Sequence, residues 1–274
     1  MDRIPFPIVA AGGLASLALA ACGGGPPVAP AAQPKHDTTE AGYVTPPQTT
    51  AVRLQDGRVM LAGLAAPHAT VRLATPGGQA STATADADGR WSLAAPALPT
   101  AALYGLSQQV DGRTVQAQGY LLVAPGGQGV LLRAGAGALS VGDQPQIGVT
   151  AFDVDRDGGA VVSGRGPAGS GVSARIDGHK LGEGRIDQAG RFSLPLTGPV
   201  SPGTHNLKVF GDQLDTTWVI DARPAAPLTA GPFRATPTSF GLRVDWMTPG
   251  GGVQTTLVAR QTPEPGDPAH RVLP

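Results

Sequence analysis

The chain has 274 residues with 20 basic and 20 acidic side chains, so no overall field steers it to nucleic acid or to an anionic surface. Its 40 glycines and 27 prolines point to a turn-rich chain, while an apolar fraction of 41% still allows a core, built mainly from Val, Leu, Ile and Ala because only 6 Phe, 3 Tyr and 3 Trp are present. The single cysteine, Cys22, excludes an intramolecular disulfide and a cysteine zinc cluster.

Residues 1–21 read as an export signal. A short start carrying Arg3 precedes an apolar run from Ile4 to Leu19, shorter than the ~20 apolar residues that a membrane span needs. The run ends in Leu19-Ala20-Ala21-Cys22. This resembles the lipobox of bacterial lipoproteins, which implies lipidation of the Cys22 sulfur, cleavage before Cys22 and acylation of the new amine. Lipid then contributes ~0.8 kcal/mol per buried CH₂, and two or more chains hold stably where one does not. In Gram-negative lipoproteins an Asp after the cysteine favours the inner membrane. Gly23 stands there, so the resemblance implies the outer membrane. Residues 22–50 carry this cysteine and a disordered tether, since Gly23-Gly24-Gly25 and the prolines that follow exclude helix and sheet. Such a tether reaches ~30 Å as a coil and ~90 Å as polyproline.

The next feature is an internal repeat. Asp86-Ala87-Asp88-Gly89-Arg90-Trp91-Ser92-Leu93 recurs as Asp187-Gln188-Ala189-Gly190-Arg191-Phe192-Ser193-Leu194. Residues 59–93 align with 160–194 without a gap, pairing Gly63 with Gly164 and Val71 with Val172. One small module is therefore present twice, over 51–134 and 145–223. Val71 and Leu73 alternate inward, as do Val172, Ala174 and Ile176. Trp91 and Leu93 face in, with Arg90 and Ser92 out, and Phe192 and Leu194 repeat the pattern. Short strands between turn signals, without helical periodicity, predict a sandwich. Gly129–Arg133 adds a strand to the first module, Gly135–Ala138 reads as a hinge, and Pro224–Pro232 reads as a linker.

Ala85-Asp86, Gly89 and Trp91-Ser92, with Gly63, Pro67 and Val71 upstream, resemble the Ig-like modules repeated in bacterial surface proteins. His68 stands where those modules usually have Gly. The carboxypeptidase-regulatory (transthyretin-like) sandwich has similar turns and stays open as the topology. Either resemblance implies spacing, adhesion or assembly, with no shared catalytic residues.

Within 228–260, Gly241–Thr248 alternates at period two, Pro249–Gly252 turns, and Val253–Ala259 returns, which is a hairpin signal. A lone hairpin is marginal in water. Trp246, Leu242 and Val244 must therefore be covered, either by packing or strand pairing on the second module or by another protein. Residues 261–274, with Pro263, Pro265 and Pro268, read as a disordered tail.

Little points to chemistry. Asp153, Asp155 and Asp157 with Gly158 open like a calcium loop, but position 12 is Gly164 where a bidentate acid is needed. The alternatives are a shallower calcium site at these three aspartates or a solvated acidic turn. Gly164–Gly169 matches G-x-G-x-x-G but runs into a strand pattern, so it is no dinucleotide site. His36, His68, His179, His205 and His270 show no ligand spacing. The sequence thus predicts an all-β protein of two tandem Ig-like β-sandwich modules plus a C-terminal β-hairpin. The expected protein has no catalytic site and no cofactor. It is held to a membrane by lipid on Cys22 and serves envelope scaffolding, adhesion or assembly with a protein partner. The alternative is an accessory module for cell-wall or extracellular carbohydrate, assisted by calcium.

Overall fold

The computed structural model describes residues 43–96, 99–142 and 147–260, and every helix or strand among them is a β-strand. The signal segment, Cys22, His36, His270 and the tail lie outside the described residues, as does most of the tether. The strands belong to one compact unit that begins at Val44.

The first module contains β1 (Gln48–Gln55), β2 (Arg58–Leu64), β3 (Thr70–Ala74), β4 (Ala80–Thr84) and β5 (Arg90–Pro96). It continues with β6 (Ala102–Val110), β7 (Arg113–Val123), β8 (Gly129–Leu132) and β9 (Leu139–Val141). Sheet I has the order β1-β2-β5, and sheet II the order β4-β3-β6-β7-β8-β9. The second module contains β10 (Gly148–Val154), β11 (Ala160–Arg165), β12 (Gly171–Ile176), β13 (His179–Arg185), β14 (Arg191–Pro195), β15 (Thr204–Gly211) and β16 (Leu214–Asp221). The C-terminal segment supplies β17 (Phe233–Pro237), β18 (Gly241–Met247) and β19 (Val253–Ala259). Sheet III runs β14-β11-β10-β19-β18-β17, and sheet IV runs β13-β12-β15-β16.

Stripped of these additions, both modules share one order: strands 1-2-5 in one sheet and 4-3-6-7 in the other. This is an immunoglobulin-like sandwich whose fourth strand pairs with the third instead of the fifth. The open question of topology is thereby answered. Each core lies between its two sheets. In the first, Val52, Leu61, Val71, Leu73, Trp91, Leu106 and Leu121 are buried together, and in the second Phe152, Val162, Val172, Ile176, Phe192, Leu207 and Val209. Each such side chain contributes roughly 1.5–3 kcal/mol by leaving water.

The repeated turn has the same construction twice. Asp86 Oδ1 accepts the Arg90 amide at 2.8 Å, and Asp187 Oδ1 accepts the Arg191 amide at 2.8 Å. Gly89 and Gly190 take φ of 78° and 71°, and their carbonyls accept from Ala65 and Gly166 at 2.8 and 3.0 Å. The turn aims the aromatic residue that follows into the core. That ring lies on a glycine: a Cβ on Gly63 would sit 2.6 Å from Trp91, and one on Gly164 would sit 2.4 Å from Phe192. The pairing of Gly63 with Gly164 in the repeat is thus a packing requirement. Trp91 is 3% exposed and its indole N–H has no partner. His68 takes φ of 59°, and its counterpart Gly169 takes 79°, so the backbone at His68 is one that favours glycine.

The modules extend different sheets. The first adds β8 and β9 beyond β7, and the second adds β19, β18 and β17 beyond β10. The expected hairpin is therefore the larger part of a three-stranded meander. Its β19 pairs with β10, Ala151 opposite Val258 and Val154 opposite Thr255. The two extended sheets, II and III, pack face to face, which makes four layers.

Candidate functional site

The seam between sheets II and III is where the two copies and the C-terminal meander meet. Side chains alternate across each strand, so a strand in sheet II or III serves a module core on one face and the seam on the other. Leu121 and Val123 point into the first core while Leu122 points into the seam, and Phe152 and Leu257 point into the second core while Ala151 and Val258 face the seam. Leu103, Val130, Leu132, Ala138, Val244 and Trp246 complete the apolar cluster. Trp246 is fully buried and meets Tyr120 edge-on, with ring centroids 6.0 Å apart at 86°. The hairpin face predicted from Trp246, Leu242 and Val244 is thus covered inside the chain, with Leu242 half-buried at its margin.

A polar network runs through the same layer. Trp246 Nε1 donates to Thr256 Oγ1 at 3.0 Å, and Thr256 Oγ1 donates to Asp153 Oδ1 at 2.5 Å. Gln254 Nε2 donates to the same Asp153 oxygen at 3.0 Å, while Gln254 Oε1 accepts the Gly135 amide at 3.2 Å. Asp153 Oδ2 accepts the Ala138 amide at 2.8 Å. Burial pushes the Asp153 carboxyl above its ordinary range, opposed by these three hydrogen bonds and by the charge of Arg133. Arg133, its own pKa lowered by burial, donates to the carbonyls of Ala136 and Gly137 and to Ser193 Oγ. A side chain on Gly137 would strike Ser163 Oγ at 2.4 Å. The segment read as a hinge, Gly135–Ala138, is therefore pinned to sheet III by its own amides.

The meander is tied down on its other face as well. Asp245, 3% exposed, accepts from Arg234 Nη2 at 2.6 Å, Arg243 Nε at 3.0 Å and Thr255 Oγ1 at 2.8 Å. Arg243 also donates to the Arg223 carbonyl at 2.7 Å, and Arg234 to the Ala226 carbonyl at 3.3 Å. The stretch after β16 is held by these arginines.

Of the three aspartates offered for calcium, Asp153 is drawn away from Asp155 and Asp157, which share one turn. Asp153 points into the seam, and its oxygens are occupied as described. Asp155 Oδ1 accepts the amides of Asp157 and Gly159 at 2.9 and 2.8 Å, which closes an exposed turn. Among the described residues no group of three or more His, Cys, Asp or Glu is placed to hold a metal ion. His205 instead joins Asp177 Oδ2 at 2.6 Å and the Ser201 carbonyl at 2.7 Å. The hydrogen bond that His205 Nδ1 donates to Asp177 holds His205 above its usual pKa, and the same bond holds Asp177 below its own. A hollow of about 280 Å³ lies beside the Asp155–Gly158 turn, lined by Pro199, Val200, Pro202 and Pro224 among others.

Sequence reasoning did not anticipate Gln254, Thr256, Asp245, Arg234 or Arg243. The available signal was the run Gln254-Thr255-Thr256 beside Leu257-Val258-Ala259, a strand buried on both faces.

No protein-family model matches the chain, and no curated protein matches it. Among solved structures it is similar to the BSP domain of a biofilm-associated protein, with 19% identity over 67% of this chain and a TM-score of 0.23. The match spans 30% of that protein's chain. It is also similar to the central fibronectin-III array of a RIM-binding protein, with 10% identity over 78% of this chain and 89% of that one, and a TM-score of 0.27. At these scores the likeness carries no argument about function.

Proposed function

We propose that the protein is an exported bacterial lipoprotein, anchored by acyl chains on Cys22 in the outer membrane, whose fused sandwiches form a non-catalytic scaffold for adhesion or assembly in the cell envelope. The observation that carries this reading is the seam. Domains joined in one chain move relative to each other by default unless their interface is large and hydrophobic. Here the interface is apolar, internally hydrogen-bonded, and includes a meander contributed by the C-terminal segment. Such a body suits holding partners at a set spacing better than enclosing a substrate. Because Trp246 and Val244 are spent inside, a protein partner would use the free strand edges, among them β13 and β16 of sheet IV.

Two measurements test this. Metabolic labelling with an acyl probe should mark the wild-type protein and not Cys22→Ser, and Cys22→Ser should leave the membrane fraction. A labelled Cys22→Ser sinks the anchor. Crosslinking in native membranes should recover one envelope protein with the wild type, at crosslinks that map to the outer strand edges. Crosslinks confined to a low-molecular-weight ligand would favour a carbohydrate-binding role instead.

A further inference from the structure

Each of the four sheets ends in two edge strands, and an edge presents unpaired N–H and C=O groups to any strand that reaches it. Among the described residues nearly every edge carries a guard. β1 has Arg53 and a bulge between Thr49 and Ala51, β5 has Arg90 and Pro96, β14 has Arg191 and Pro195, and β17 has Arg234 and Pro237. On sheet IV, β13 has Lys180, Glu183 and Arg185, and β16 has Asp215 and Asp221. Strand β9 is three residues long, none of them exposed. That leaves β4, Ala80-Ser81-Thr82-Ala83-Thr84, with no charge, no proline and no bulge in its register with β3. All of it is exposed except the half-buried Ala83.

The repeat makes this a property of the first copy alone. Strands β4 and β13 hold the same place beside β3 and β12, and the ungapped repeat aligns Thr82 with Glu183 and Thr84 with Arg185. The register of β13 on β12 also shifts between Ala174 and Arg175, whereas that of β4 on β3 is unbroken.

Alternation along the ladder decides which groups of β4 are open. The Thr75 amide donates to the Gln79 carbonyl at 2.8 Å, and the Ala85 amide to the Ala69 carbonyl at 3.0 Å. Between these pairs Ser81 and Ala83 bond inward to β3, so Ala80, Thr82 and Thr84 point their amides and carbonyls out from the edge. Three outward residues centred on Thr82 are self-complementary. In an antiparallel pairing about a two-fold axis at Thr82, Thr82 faces its own copy and Ala80 faces Thr84, so each outward amide meets an outward carbonyl. A Thr–Thr pair across strands is favourable. Asp86, beyond the end of β4, falls opposite Gly78, so no acid meets an acid. Arg72, opposite Thr82 on β3, stands three strand spacings from its own copy, about 14 Å, beyond the ~8 Å over which exposed charges act in physiological salt. The same axis placed on β13 would set Glu183 against Glu183, which is destabilising.

We propose that β4 is a homotypic docking edge, through which two copies of the chain join their sheets II antiparallel about Thr82. Five residues per chain fall well below the roughly 20–30 a side of a stable free interface, so the contact is weak and forms where copies are concentrated. It goes beyond the scaffold reading by making a second copy one of the partners, and it does not depend on the lipid anchor. The charged edges β13 and β16 remain for partners of another kind.

The full chain with Cys22→Ser tests this, so that lipidation plays no part. In such a pairing the opposed Cα atoms at the axis stand about 5.5 Å apart, within disulfide reach. Under mild oxidation at high protein concentration, Thr82→Cys should form a disulfide-linked dimer several-fold faster than Thr217→Cys, which is also exposed but lies on β16. Sedimentation equilibrium should show weak dimers for Cys22→Ser alone and monomers when Thr82→Glu or Thr82→Lys is added. Mixing those two variants should restore dimers, since opposite charges then meet across the axis. Both should melt with their parent, because Thr82 is exposed. Equal oxidation rates overturn the proposal, as does a dimer that survives Thr82→Glu or a mixture that stays monomeric. A Thr82→Cys chain that crosslinks in native membranes to a different protein and not to itself also overturns it, and assigns the edge to that protein.

Discussion

Removing Asp153 is the sharpest test of whether the seam holds the modules together. In Asp153→Ala three buried donors lose their acceptor: Thr256 Oγ1, Gln254 Nε2 and the Ala138 amide. A buried polar group left unsatisfied costs roughly 1–3 kcal/mol, so even the low end gives a loss of about 3 kcal/mol. Thr256 can rotate its hydroxyl but still has the Trp246 N–H to accept, so it cannot escape the network. Asp153→Asn is milder. Its carbonyl still accepts from Gln254 and Thr256, while its NH₂ faces the Ala138 amide, stranding two donors, that amide and the new NH₂, at about 1–3 kcal/mol each. Asp155→Ala, in the exposed turn two residues on, loses two solvent-accessible bonds and should cost about 1 kcal/mol. Guanidinium denaturation followed by tryptophan fluorescence reads all three. The wild type should unfold in one transition, because breaking either core exposes the seam. Asp153→Ala should lower the midpoint most and split the transition in two as the modules uncouple. A loss for Asp153→Ala no larger than that for Asp155→Ala would refute the reasoning.

Three further outcomes are expected. Trp91→Phe should cost less than Trp246→Phe by at least about 1 kcal/mol in the same assay, because the Trp91 N–H is buried without a partner and the second copy already has Phe192, whereas the Trp246 N–H is bonded to Thr256. His68→Gly should raise the midpoint. A left-handed residue costs ~1–2 kcal/mol and glycine's extra freedom in the unfolded chain returns ~0.5–1, a net gain of about 0.5 kcal/mol. His205→Asn should show a pH-dependent loss of melting temperature. The raised pKa of His205 stabilises the fold below its ordinary value of about 6.5, and that contribution disappears as pH rises through the raised value. The lowered pKa of Asp177 stabilises above about 4 and fails as pH falls. The gap between wild type and variant should therefore be widest between about pH 4 and 6.5, and a gap that does not vary with pH would contradict the pairing.

Local signals carried the modules a long way. The Asp-x-x-Gly turn, the inward aromatic and the period-two pattern of β3, β12 and β14 depend only on nearby residues and on one face being buried. Those positions came out of the structure as read. Strands β10 and β19 are different. Both faces are buried, so Thr256 and Gln254 stand at interior positions that a one-sided reading assigns to solvent. The same effect separates the run of three aspartates, since alternation sends Asp153 into the seam while Asp155 closes an exposed turn.

Chain order alone determined that this protein is built of two copies of one β module, because the turn chemistry and the glycine beneath each aromatic ring are short-range constraints written in adjacent residues. Only the tertiary structure decided that the copies are one body. Which sheet each module extends, and hence that β8–β9 and the C-terminal meander meet across a seam, depends on partners more than a hundred residues apart, as between Asp153 and Thr256. The pairing was decided by burial on a second face, and a single strand's pattern holds no record of what will cover it.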